Sequence, residues 1–198
     1  MTDAAALALP QASPPARPRV LLVGTALAAA AAFMAMMGLV GIYVSARAEV
    51  LASGNAWLPY GSSIPLTPGN IAMATMLISA ITMWWAVDAV GKNDRPMAYL
   101  ALGMTIFFGI AVINAISFLY SQMDLAVSST PGLLIITITG AQISLIIIGL
   151  VYAAVMTFRT LGGEYHGRDR EGLTAAALFW YVTIASQAVI WFAIFVVK

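Results

Sequence analysis

Five long apolar stretches, at about residues 20–46, 70–90, 97–120, 133–158 and 173–197, occupy most of this chain of 198 residues. Each reaches the length of about 20 residues that an α-helix needs to cross ~30 Å of hydrocarbon at ~1.5 Å per residue. Inside a bilayer no water serves the backbone N–H and C=O groups, so only helices and closed barrels can span it. Barrel strands alternate polar and apolar side chains. The run LLIITITGAQISLIIIGLVYAAV shows no such alternation. The sequence therefore predicts an all-α integral membrane bundle of five transmembrane helices. Charge content agrees: 9% of residues are charged, against about 25% in a domain whose surface faces water.

The joints between these stretches read as loops. Residues 54–69 (GNAWLPYGSSIPLTPG) are rich in Gly, Pro and Ser, residues 91–96 (GKNDRP) form a tight polar turn, and residues 121–132 end in Ser-Ser-Thr-Pro-Gly, a stop followed by a helix start. The densest charge lies in residues 159–172 (RTLGGEYHGRDREG). Residues 1–19 are a Pro/Ala-rich tail without periodicity, expected to be disordered, ahead of a helical domain over residues 20–198. Arg17 and Arg19 before the first apolar run, with Ala46-Arg47-Ala48 after it, also fit a signal peptide and its cleavage site. The run is longer than an h-region of about 7–15 residues, which favours an uncleaved helix. Arg17, Arg19, Lys92, Arg95, Arg159, Arg168 and Arg170 fall on one side of the predicted membrane, and only Arg47 and Lys198 on the other. The positive-inside rule then places the N-terminus in the cytoplasm and the C-terminus outside.

Little in the chain offers catalytic chemistry. It has no cysteine, which excludes disulfides, thiolate nucleophiles and iron–sulfur ligation. A lone histidine, His166, cannot by itself build a haem, copper or zinc site. Net charge is +1, so there is no basic field for nucleic acid. No catalytic, metal or cofactor-binding residue is expected. Intramembrane polar groups remain the place to seek function. Asp88, beside Trp84 and Trp85, either pairs at the interface with Lys92 one turn away or serves a proton relay. Asn114 and Ser117 share a helix face; Gln142 and Ser144 lie in the fourth stretch, and Thr183, Ser186 and Gln187 in the fifth. Interhelical hydrogen bonds of this kind contribute about 0.6–2 kcal/mol each. Asn114, Ser117, Gln142, Tyr181 and Gln187 are the candidate lipid- or helix-packing polar positions. Arg47, Trp57, Asp88 and Trp180 are the candidate interface positions, the tryptophans as aromatic belt anchors.

Two segments carry a family resemblance. Gly41-Ile-Tyr-Val-Ser-Ala-Arg-Ala48, followed by Trp57 and Pro59, is similar to the end of the first helix and the next loop of short, five-helix subunits III of haem–copper cytochrome c oxidases. Phe179-Trp180-Tyr181, running to Phe195-Val-Val-Lys198, resembles that family's last helix. The ionisable hallmarks are replaced. Asn114-Ala-Ile-Ser117 stands where the family carries a buried Glu, Gln142 and Leu145 stand for a His pair, and Tyr181 and Ile184 follow Trp180 in place of His and Asp. The resemblance implies a non-catalytic subunit in a bacterial plasma membrane. It would pack against catalytic and copper-bearing subunits that hold the haem and copper, keep membrane lipid in a cleft, and support aerobic electron transport. Three other readings stay open: an accessory subunit of a nitric oxide reductase, a stand-alone small-solute carrier or channel with Asn114, Ser117, Gln142 and Gln187 along a polar path, and a copper-delivery or assembly factor.

Overall fold

The structure is a computed structural model that describes residues 19–123, 125–163, 165 and 170–197. The tail before Arg19, with Arg17, and His166, Arg168 and Lys198 lie outside the described residues. Five helices are long and apolar enough to cross a membrane, and no strand occurs among the described residues. They are α1 (Val20–Ala52), α2 (Leu66–Gly91), α3 (Arg95–Gln122), α4 (Thr130–Leu161) and α5 (Glu171–Trp191), the last continuing into a π-helical turn over Phe192–Val196. The all-helical, five-span architecture is the one predicted.

Where helices start and stop follows local chemistry. Asp94 caps α3, its carboxylate accepting from the Met97 N–H at 3.3 Å, with Pro96 in the first turn where no N–H is needed. Ser129 caps α4 in the same way at the Gly132 N–H (3.2 Å), with Pro131 following. Asn93, at φ 59°, takes the left-handed turn that folds α3 back onto α2. Most helices outrun the apolar stretches that announced them. α1 continues past residue 46 through Arg47 and Glu49 to Ala52. Charged residues end the hydrocarbon span, but they are good helix formers and need not end the helix.

α5 is the central helix, packed against α1, α2 and α4, while α3 lies along α2 and also meets α4. In its most apolar stretch α5 is 56% buried, whereas α1 is 11% buried and peripheral. Trp180, in the middle of α5, is fully buried. Two glycines make room for it: a Cβ on Gly109 of α3 or Gly149 of α4 would stand 2.9 and 2.8 Å from the indole. The indole N–H donates to Ser79 Oγ on α2 at 3.1 Å. One side chain thus ties α5 to three neighbours. Towards the other end of the bundle, Trp57 packs edge-on against Tyr43, ring centroids 5.5 Å apart, and donates to the tyrosine hydroxyl at 3.3 Å. Both tryptophans are buried, which corrects their reading as belt anchors. Each indole N–H has found a partner within the protein, so neither needs the wet interface.

Candidate functional site: an uncharged buried seam and an apolar groove

The buried polar side chains among the described residues are serines, threonines and glutamines, all uncharged. They stitch helices together in pairs. Thr82 of α2 and Thr105 of α3 share a hydrogen bond of 2.8 Å. Tyr120 of α3 and Thr139 of α4 share one of 2.7 Å. Between α4 and α5, Gln142 Nε2 donates to the Thr183 carbonyl at 2.9 Å, and Ser186 Oγ donates to Gln142 Oε1 at 2.8 Å. Several of these hydroxyls also approach a carbonyl of their own helix: Ser186 Oγ lies 2.8 Å from the Thr183 carbonyl as well and shares its one proton between the two acceptors. Gln142 therefore holds its partners with both ends of its amide. Gln142→Leu keeps the volume and removes both bonds, and it is expected to lower stability by about 0.6–2 kcal/mol, read as a fall in the thermal midpoint of the detergent-solubilised protein. Gln187 is also buried, and its Oε1 has no hydrogen-bond partner among the described residues.

The remaining candidate positions do not join this seam. Asn114 and Ser117 are exposed on the outer face of α3, and Ser117 Oγ turns back to the Ile113 carbonyl at 2.9 Å. Gln142 and Gln187 are buried inside. The four cannot line one solute path, which corrects that expectation. Lipid and protein interior are equally apolar, so the sequence carried no signal for which face of α3 points inward. Asp88 pairs with Lys92 at 2.7 Å, with the lysine 72% exposed. This is a solvent-exposed i, i+4 pair, contributing up to about 1 kcal/mol. Arg47 is half-buried near the end of α1.

Tyr181 lines a different feature. An open groove of about 410 Å³ runs between α2 and α5, walled by Trp84, Val87, Leu178, Tyr181, Val182 and Ala185. Its walls are almost entirely apolar. Beside Val87 the chain gathers charged groups: Arg170 Nη1 donates to the Val87 carbonyl at 3.1 Å, in space that exists because Gly91 has no Cβ. Next to it, Glu171 Oε1 accepts from the Leu22 N–H at 3.0 Å, capping the free start of α1 with a carboxylate from α5. These contacts bring the N-terminal ends of α1 and α5 and the C-terminal end of α2 to one side of the bundle.

Among the described residues, no three of His, Cys, Asp and Glu converge as metal ligands. With no cysteine and one histidine in the whole chain, the donor set does not fit a haem or copper centre. Comparison with known families decides the kinship. The sequence profile of Cytochrome c oxidase subunit III matches residues 19–198. The chain belongs to that family. Its relatives among curated proteins include the cytochrome c oxidase subunit 3 of Pelomedusa subrufa, 28% identical over 144 residues that make up 70% of this chain and 54% of the relative. That of Cyprinus carpio is 26% identical over the same shares, and that of Strongylocentrotus purpuratus is 26% identical over 156 residues, 76% of this chain and 58% of the relative. The chain thus spans about half the length of the curated relatives it matches. The match bears out the subunit III resemblance and gives no support to a carrier, a nitric oxide reductase accessory or a copper-delivery protein. For a subunit III the features that organise the interior, Ser79, Gly109 and Gly149 around Trp180, escaped the sequence reading. The available signal was two isolated glycines inside long apolar helices, which mark close approach of another element.

Proposed function

We propose that this multi-pass membrane protein is the non-catalytic subunit III of a haem–copper terminal oxidase, packing beside a metal-bearing catalytic subunit and holding lipid against its own surface. The observation that carries this reading is the family match over residues 19–198, taken with an interior whose buried polar groups are all uncharged among the described residues. Such an interior supports helix packing and offers no carboxylate or imidazole for proton relay. The α2–α5 groove suits an acyl chain: it is apolar, opens sideways between two helices, and is flanked by the exposed Trp84. We place the N-terminus in the cytoplasm of a bacterial cell, because Arg170, Lys92 and Arg95 lie at the α1 N-terminal side. On this reading the mature chain keeps α1, whose Tyr43 and Met36 belong to the core. The test is migration of a tagged chain, solubilised gently from its native membrane, on a native gel. Co-migration with haem absorbance is the expected result. A chain that runs alone, free of haem, contradicts the proposal.

A further inference from the structure

We propose that one water molecule is bound inside the bundle where α2, α3, α4 and α5 meet, held between the Gln187 side-chain carbonyl and the Thr139 hydroxyl. Both residues line one small cavity, together with Gly69 and Ala72 of α2, Leu119 of α3, and Phe195 of the π-helical turn. The π turn carries the Phe195 ring onto Gly69, so closely that a Cβ at Gly69 would lie 2.6 Å from it. The space admits a water-sized occupant and nothing larger, at about 10 Å³, near the lower limit for a single water.

The chemistry of the walls selects a donor. Gln187 is 3% exposed and its Oε1 is an acceptor that the protein leaves unpaired. Thr139 is 3% exposed. With the single Thr139 hydroxyl proton on the Ile135 carbonyl at 2.6 Å, the Tyr120 phenol donates in the 2.7 Å contact between them. A hydroxyl oxygen has two lone pairs, and one on Thr139 is therefore still open. The two residues thus offer open acceptors: Gln187 Oε1, which has no partner among the described residues, and a lone pair on Thr139 Oγ1. Water supplies two donors in the volume of one small molecule, and two polar partners are the fewest that a buried water takes. Gln142, in the same seam, holds protein partners at both ends of its amide. It is a dry internal control.

Solid-state NMR of the full chain in lipid vesicles, with labelled glutamine, reads water-to-amide magnetisation transfer. The Gln187 side-chain amide is expected to show transfer from water and the Gln142 amide to show none. Gln187→Leu assigns the signal by its loss, with Gln187→Met as the second variant. A Gln187 amide as dry as that of Gln142 overturns the proposal. If neither variant accumulates, a map of the wild-type chain that shows ordered waters decides the matter. Density between Gln187 Oε1 and Thr139 Oγ1 supports the site, and none there overturns it.

Discussion

Trp180→Ala is expected to destabilise the bundle by about 3–5 kcal/mol, the range for emptying a large aromatic site in a packed interior. The indole is fully buried, lies against Gly109 and Gly149, and bonds to Ser79. Its removal leaves a hole where four helices converge, and rigid helices cannot collapse into it without losing contacts elsewhere. The thermal midpoint of the purified protein, or its accumulation in the membrane, reports the loss. Trp180→Phe is expected to cost less. Much of the ring volume remains, and the Ser79 hydroxyl keeps its own bond to the Met76 carbonyl at 2.7 Å. A Trp180→Ala protein that melts with the wild type would show that the indole does not organise the interior.

The second large effect attacks the same junction from the opposite wall. At Gly149 an added Cβ would lie 2.8 and 3.0 Å from two Trp180 ring atoms, and 3.6 Å from Phe179. Gly149→Leu adds three further carbons in that direction. Overpacking of this kind costs about 1–3 kcal/mol and sometimes more, and here the ring has Gly109 behind it, so it has little room to retreat. The α4–α5 pair should separate, and the Gln142–Ser186 bond with it. Because both substitutions act on one contact, their effects will not add. In the double variant the leucine enters the space that the indole vacates, and the loss of stability should be smaller than the sum of the two separate losses. Melting curves of the two single variants and the double variant check this. Strict additivity would contradict direct contact between Gly149 and Trp180.

The parts of the fold that were legible in the sequence depend on one segment at a time. Span length and absence of charge predicted five helices, and the caps at Asp94 and Ser129 stand where a polar residue precedes proline and a helix. Which face of each helix points inward was hidden. In water an amphipathic stripe marks the buried side, but lipid is as apolar as the protein interior, and α5 is apolar all round. Trp180 therefore read as an anchor when it is the centre, and Asn114 and Ser117 read as packing groups when they face outward. Gln142 was legible because a doubly bonding amide deep in an apolar run has few uses other than joining two helices. Its partners, Thr183 and Ser186, could not be paired with it before α4 and α5 were set side by side.

The central proposal is that this polypeptide carries no redox centre and works by packing beside one. Haem and copper contents measured per copy of the chain, first in the gently solubilised complex and then in the same chain after its neighbours are stripped away, test it most directly. The account predicts both metals in the complex and neither in the separated chain. Stoichiometric haem or copper that stays with the pure polypeptide would contradict it.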